Sequence, residues 1–136
     1  MKKIILLTCM FITCIAFENI NNVELISVYD GDTFKVNIKN FPAIVGEKIS
    51  IRVNGIDTPE IRGKCIKEKE LAYMAKDTVI TFLQSGTIVL KNPKRGKYFR
   101  IVADVEVNQK SLADELLRKG LAVPYDGGTK IKDWCK

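Results

Sequence analysis

The chain has 136 residues, of which 46% are hydrophobic and 28% charged, so it is long enough to bury one core and we expect a single domain. It contains no histidine, which excludes histidine general bases, histidine-zinc sites and Ser-His hydrolases. The net charge of +6 favours a polyanionic partner, although an ordinary basic surface gives the same balance.

The N-terminus has the pattern of an export signal. Two lysines precede an almost uncharged apolar run over residues 4–17, which has signal-peptide length and is too short for a comfortable membrane span. We predict a signal peptide over residues 1–16, with an alternative end near residue 22. Cleavage after Ala16 would leave a protein that is secreted, periplasmic or in the cell envelope. The alternative is an uncleaved membrane anchor.

The four cysteines agree with export. Two of them lie inside the predicted signal, and its removal leaves only Cys65 and Cys135. An even count in an oxidising compartment favours a disulfide, which would tie the end of the chain to the segment after Asp57. For a loop this long, chain entropy sets an upper contribution of roughly 4 kcal/mol. The alternative is two separate thiols.

The predicted domain covers residues 23–136. We expect three strands in its first half. Residues 23–29 form the first strand, and Asp30-Gly31 is predicted to make a tight turn, since Asp-Gly accepts positive φ. Apolar and polar residues then alternate over residues 33–38 and again over residues 48–56, as expected for half-buried strands. A loop joins these two strands.

A long helix is predicted over residues 66–84. Its apolar positions recur with a helical period, which predicts one buried face. These positions are Leu71, Met74, Ala75, Thr78, Val79 and Phe82.

Two strands and a short helix complete the pattern. Residues 87–90 form the fourth strand, residues 92–96 a turn, and residues 99–107 the fifth strand by their alternation. Ser111 then caps a short helix that Gly120 ends.

The element order is therefore βββ-α-ββ-α. Five strands with a helix after the third predict an all-β barrel with helices, a five-stranded OB-fold of the α+β type. Such barrels commonly bind oligonucleotides, but the fold alone supports binding and not catalysis.

Acidic residues mark one predicted rim of this barrel. Asp32 begins the second strand and Asp57 ends the third, so the two carboxylates converge if these strands pair. Two carboxylates and a backbone carbonyl make a partial oxygen site that suits Ca²⁺. Glu60 lies three residues past Asp57, where it could take a proton from an attacking water. The alternatives are a plain hairpin turn, a helix lead-in and a surface charge.

Two arginines lie on the predicted third and fifth strands. Arg52 is on the polar face of the third strand and Arg100 begins the fifth, so they could grip a phosphate and offset charge in its transition state. The alternative is that each pairs with an acid across the sheet. Lys97 and Tyr98 could contact a terminal phosphate and a nucleotide, or form an exposed turn.

Taken together, these residues resemble the thermonuclease, or staphylococcal-type nuclease, family. The resemblance covers about residues 23–135, and its motifs follow the family order and spacing. The matching stretches are Val28-Tyr29-Asp30-Gly31-Asp32-Thr33, Arg52 with Asp57-Thr58-Pro59-Glu60, Lys97-Tyr98-Phe99-Arg100, and Leu116 with Gly120-Leu121-Ala122.

The resemblance implies a Ca²⁺-dependent OB-fold nuclease that hydrolyses DNA and RNA and leaves 3′-phosphate ends. It implies that Asp32 and Asp57, with the Thr58 carbonyl, hold Ca²⁺. Asp30 would lie just behind these ligands. We expect a monomer without a stable protein partner.

The resemblance also assigns the remaining roles. Glu60 would be the general base, and Arg52 and Arg100 would bind the phosphate and stabilise the transition state. Lys97 and Tyr98 would help to bind nucleotide. The family's Tyr-Gly-Arg is Tyr98-Phe99-Arg100 in this chain. The alternative from another functional class is a silent OB module that binds nucleic acid without cleaving it.

Overall fold

The computed structural model describes residues 19–136. The predicted signal peptide and its cleavage site lie outside these residues. In the described part of the chain, no helix combines the length and apolar character needed to cross a bilayer.

Strands dominate the described residues, and one long helix interrupts them. The elements in chain order are β1 (Val23–Val28), β2 (Thr33–Ile38), α1 (Ala43–Gly46), β3 (Ile49–Val53), β4 (Ile56–Asp57), α2 (Ile66–Gln84), β5 (Ile88–Arg95), a 3-10 turn (Lys97–Phe99), β6 (Ile101–Val107), β7 (Lys110–Ser111), α3 (Leu112–Arg118) and β8 (Val123–Pro124).

The main sheet has the strand order β1-β2-β3-β6-β5. Its pairs are antiparallel except β3 with β6, which run parallel and align Ile51 with Ile101. The sheet curls so that its two edges meet. Ile20, which precedes β1, and Leu90 of β5 exchange two backbone hydrogen bonds of 2.9 and 3.0 Å there. The predicted OB-fold is confirmed. Ile20, which pairs with Leu90, precedes the predicted start of the domain at residue 23.

The core lies between the curled sheet and α2. Alternating residues of β2, β3 and β6 face inward, and α2 presents Ala75, Val79 and Leu83 to them. The predicted face of α2 was rotated by about one position: Met74 is 56% exposed, whereas Ala72 is buried. The difference arises because the buried face also includes the Glu68 carboxylate, which a hydrophobicity pattern cannot assign to the core.

The third predicted strand is divided. Residues 48–56 were predicted as one strand, but β3 ends at Val53 and β4 begins at Ile56. Gly55 lies between them at φ 78°, a conformation that glycine adopts without strain. β4 consequently leaves the main sheet and pairs with β8.

The fourth and fifth strands also differ from prediction. β5 continues to Arg95 where a turn was predicted over residues 92–96. Its register with β6 shifts between Lys91 and Lys94, and this bulge accommodates Pro93, which has no backbone N–H. β6 begins at Ile101 instead of residue 99, because Tyr98 and Phe99 both have φ 57°, which is incompatible with a strand.

The end of the chain lies against the start of α2. The sulfurs of Cys65 and Cys135 are bonded, with their Cα atoms 6.0 Å apart. Cys65 is also the N-cap residue of α2, since its Sγ accepts a hydrogen bond from the Glu68 backbone N–H at 3.4 Å. Trp134, the residue before Cys135, is buried. The last residues therefore form part of the folded domain.

Replacing both Cys65 and Cys135 by serine should lower the free energy of unfolding by about 2–4 kcal/mol, because the unfolded chain regains the freedom that the bridge removes. Urea denaturation of the oxidised wild type and the double variant measures the difference. Reductant should lower the wild-type midpoint and leave the double variant unchanged. A wild-type midpoint that reductant does not move would contradict the bridge.

Candidate active site

The turn between β1 and β2 brings two aspartates to one rim of the barrel. The backbone N–H groups of Tyr29 and Asp30 donate to the Thr33 carbonyl at 3.0 and 3.3 Å. Gly31 was expected to need positive φ, but it does not adopt it. A Cβ on Gly31 would instead lie 2.9 Å from the Thr58 side chain and 2.8 Å from Ala75, so this position requires glycine for space.

Arg52 joins the acidic residues of this rim. It forms an ion pair with Asp32, lies 3.6 Å from Asp57 Oδ1 through Nη2, and donates to the Ile56 carbonyl at 3.1 Å. Thr58 donates to Asp32 Oδ2 from its backbone N–H at 3.2 Å and from Oγ1 at 3.1 Å. The predicted convergence of Asp32 and Asp57 therefore occurs, and it runs through the arginine.

Strand pairing explains this convergence. Thr33 of β2 lies opposite Arg52 of β3, so the residue before Thr33 meets the arginine side chain. The Val53 N–H donates to the Asp32 carbonyl at 2.8 Å, which fixes the Asp32 backbone at the same point. The short strand β4 then carries Asp57 to the other side of the guanidinium.

Burial sets the electrostatics of the rim. Desolvation, followed by the charge of Glu60, raises the pKa of Asp30 to about 6. Asp30 Oδ1 accepts a hydrogen bond from the Asp32 N–H at 3.1 Å. Desolvation also lowers the pKa of Arg52, against the opposing charge of Asp57.

The donor atoms of the rim suit a hard cation. Asp57 Oδ1 is buried and accepts no hydrogen bond from residues 19–136. The Lys130 Nζ lies 2.7 Å from this oxygen and forms an ion pair with it. Such an oxygen can ligate a metal once the ammonium moves away, and carboxylates with a backbone carbonyl are the ligands that Ca²⁺ prefers. The donor types of Asp32, Asp57 and the Thr58 carbonyl are therefore those that the predicted site needs, and their role as Ca²⁺ ligands stays a prediction.

Another group of potential metal-binding side chains lies elsewhere. Cys65, Glu68 and Cys135 place their ligand atoms within 4.8 Å of one another. The two sulfurs are bonded to each other, and a metal binds thiolate instead. This cluster is a disulfide beside a buried carboxylate.

A cavity of about 600 Å³ opens beside the rim. Arg100 lines it, and its Nε is buried without a hydrogen-bond partner among residues 19–136. Lys97 lines the same cavity, whereas Tyr98 does not and is 90% exposed. The lining also includes Tyr29, Asp30, Asp32, Arg52, Glu60 and Tyr125.

Glu60 faces the cavity from its open side. Its side chain is 50% exposed, and its Oε1 accepts a hydrogen bond from Lys130 Nζ at 2.7 Å. Its backbone N–H donates to Glu68 Oε1 at 3.3 Å, and the Lys64 N–H donates to Glu68 Oε2 at 2.9 Å. The buried Glu68 carboxylate therefore holds the segment that carries Glu60.

The sequence patterns did not predict a place in the site for Glu68, Lys130 or Tyr125. Glu68 had a signal, because it stands three residues after Cys65 at the capping-box position. No pattern in the residues around Lys130 predicts a role for it. Burial would lower its pKa, but the carboxylates of Asp57 and Glu60 raise it overall, so it stays a cation between the two acids.

The chain is similar in sequence to one protein family and to several known proteins. The family model described as staphylococcal nuclease homologue matches residues 50–133. Endonuclease YncB of Bacillus subtilis is 35% identical over 122 residues, covering 82% of this chain and 53% of the relative. An uncharacterised protein of Methanocaldococcus jannaschii is 30% identical over 134 residues, covering 81% and 62%.

A prophage-derived endonuclease of Bacillus subtilis, YokF, is 33% identical over 125 residues, covering 85% of this chain and 39% of the relative. The chain thus spans between about two fifths and three fifths of the length of these three relatives.

Replacing Asp30 by asparagine should stabilise the metal-free protein at pH 7.5 by about 1–3 kcal/mol, because folding raises the pKa of this carboxyl and so disfavours its charged form. Asparagine keeps the acceptor for the Asp32 N–H. The gain should be nearly full at pH 7.5, above the folded-state pKa of about 6, and should mostly disappear by pH 4, close to the ordinary pKa of 3.8, where Asp30 is protonated in the folded state and partly protonated in the unfolded state.

Urea denaturation in chelator at pH 7.5 and pH 4 measures this difference. Asp77→Asn, at an exposed position of α2, is the matched control and should change little. A less stable Asp30→Asn protein at pH 7.5 would show that the charge supports the fold through Arg52.

Proposed function

Because the chain belongs to the staphylococcal nuclease homologue family, we propose that it is a Ca²⁺-dependent nuclease. It hydrolyses phosphodiester bonds of DNA and RNA with little sequence specificity and leaves 3′-phosphate ends. Two of the relatives above carry the name endonuclease, which supports the activity. The observation that carries the proposal is the buried Asp32–Arg52–Asp57 cluster beside a cavity that Arg100 lines.

Asp32, Asp57 and the Thr58 carbonyl would hold the cation. Bound Ca²⁺ would supply positive charge to a phosphate oxygen and so offset the charge that develops there. The hydrogen bonds from Thr58 to Asp32 Oδ2 orient that carboxylate. Asp30 accepts from the Asp32 N–H behind it, and such supporting contacts tune the ligands.

Glu60 is the general base of the proposed reaction. A water oxygen bonds to phosphorus while one of its protons passes to a Glu60 carboxylate oxygen. The P–O5′ bond breaks, the 5′ oxygen takes a proton from solvent water and leaves as an alcohol, and the phosphate stays on the 3′ side, after which Glu60 returns its proton to solvent. Glu60 is half-exposed at the cavity, so water can reach it, and the Glu68 carboxylate fixes its backbone.

The two arginines differ in the contacts that they make before a phosphate binds. Arg52 already carries an ion pair with Asp32, so it also holds the carboxylates in place. Arg100 has a buried Nε that lacks a partner in the described part of the chain, and a phosphate oxygen in the cavity would satisfy it. Guanidinium forks of this kind stabilise a five-coordinate phosphorane better than a lysine can.

Nucleic acid would approach along the same cavity. Lys97 lines it and supplies a charge for a neighbouring phosphate, while Tyr125 lines it as an aromatic surface. Tyr98 is almost fully exposed, so it can contact only a nucleotide that extends past the cavity. We also propose that the protein is exported, because of the apolar N-terminal run, and that it acts as a monomer.

Replacing Glu60 by glutamine should lower turnover on single-stranded DNA by about 10²–10⁴-fold, because glutamine keeps the shape and removes the base. The assay compares wild type and variant with excess Ca²⁺ and with chelator. Glu70→Gln, at an exposed position of α2, is the control and should keep wild-type turnover.

Cleavage by Glu60→Gln at the wild-type rate would refute the role of Glu60. Tight DNA binding by the wild type without cleavage in any metal would instead identify a silent OB module.

Replacing Arg100 by lysine should reduce turnover by about 10²-fold with little loss of stability, because no ion pair of Arg100 is found within residues 19–136. Arg52→Lys should reduce both turnover and stability, since Arg52 bridges buried carboxylates. Kinetic assays and urea denaturation of both variants make the comparison. Wild-type turnover in Arg100→Lys would rule out its phosphate contact.

A further inference from the structure

Lys130 lies on a C-terminal tail (residues 123–136) that folds back over the rim. β8 pairs with β4 at the start of this tail, and the Tyr125 N–H donates to the Gly55 carbonyl at 2.9 Å. The bond between Cys135 and Cys65 holds its end. The residues between these two attachments form no regular helix or strand, so the tail crosses the rim as an irregular segment fixed at both ends.

The Lys130 ammonium stands between two acids of the candidate site. Its Nζ lies 2.7 Å from Asp57 Oδ1 and 2.7 Å from Glu60 Oε1. The first oxygen belongs to a proposed metal ligand and the second to the proposed base. A cation of this chain therefore occupies the position beside Asp57 where a metal ion would need a free carboxylate oxygen.

The acids of the rim are held apart by positive side chains. In the described residues, no three of the carboxylates of Asp30, Asp32, Asp57 and Glu60 bring oxygens within 4.8 Å of one another. Arg52 contacts Asp32 and Asp57, and Lys130 contacts Asp57 and Glu60. This alternation of charge offsets the mutual repulsion of the carboxylates without a metal.

We propose that Lys130 is a further residue of the site, which competes with the divalent cation for Asp57 and leaves that carboxylate when the cation binds. The proposal rests on the proposed function, because it takes Asp57 as a metal ligand. Lys130 can leave Asp57, since its own side chain is 45% exposed and water and the half-exposed Glu60 carboxylate can still solvate its ammonium. An ammonium and a divalent cation that both lie against Asp57 also repel each other, so each lowers the affinity of the site for the other.

Removing the Lys130 charge should therefore tighten Ca²⁺ binding. Isothermal titration calorimetry with calcium chloride on the oxidised chain measures the dissociation constant without requiring activity. We expect Lys130→Met to lower this constant by about three- to tenfold. Lys130→Arg, which keeps a cation on the tail, should stay near wild type.

Lys39→Met is the matched control. Lys39 is exposed just past the end of β2 opposite to the rim, so this variant loses the same charge far from Asp57 and should bind Ca²⁺ like wild type. Circular dichroism melting checks that each variant is folded.

An unchanged or weaker affinity in Lys130→Met would overturn the competition, and so would an equal gain in Lys39→Met. Calcium binding in Lys130→Met alone would support it. The absence of binding in all four proteins would overturn both the competition and the metal site of the proposed function. Calcium binding by wild type with no change in Lys130→Met would overturn only the role of Lys130.

Discussion

The ion pair between Arg52 and Asp32 is the contact on which the site depends. Two carboxylates removed from water are unfavourable unless a cation compensates them, and the penalty for each unpaired ion is several kcal/mol. Arg52 contacts Asp32, directly before β2, and Asp57 of β4, and it also donates to the Ile56 carbonyl. One side chain on β3 therefore joins the start of β2 to β4, which leaves the main sheet.

The start of α2 forms a second level of support. Glu68 is buried at a helix position that points toward the core, and its two oxygens accept from the backbone of Glu60 and Lys64. A Cβ on Gly63 would lie 2.5 Å from the Glu68 carboxyl carbon, so the loop passes directly over this carboxylate. The segment between Asp57 and α2 is thus ordered by a helix residue and not by the sheet.

The sequence predicted the parts of the fold that follow from local periodicity. Alternation identified β2, β3 and β6, and helical period identified α2, although Glu68 shifted its buried face. The convergence of Asp32 and Asp57 followed from the assumption that the second and third strands pair, whereas the ion pair of Arg52 with Asp32 matches the alternative stated for that arginine, an acid across the sheet. Lys130 could not be predicted in this way, because its contact with Asp57 and Glu60 depends on where the tail crosses the rim. The split at Gly55 and the bulge at Pro93 similarly depend on backbone geometry that only the assembled sheet selects.

The parallel pairing of β3 with β6 has a consequence for how the molecule reaches this state. Asn54 donates to Asp104 at 2.9 Å across a sequence separation of 50 residues, and Ile51 aligns with Ile101 beside it. Ordering a chain segment of that length must precede any gain from the contact. Proteins dominated by such non-local contacts fold more slowly than helical proteins of similar size. Because Arg100 directly precedes β6, it reaches the cavity beside Arg52 only after this long loop has closed, and the barrel must form before any of its chemistry can begin.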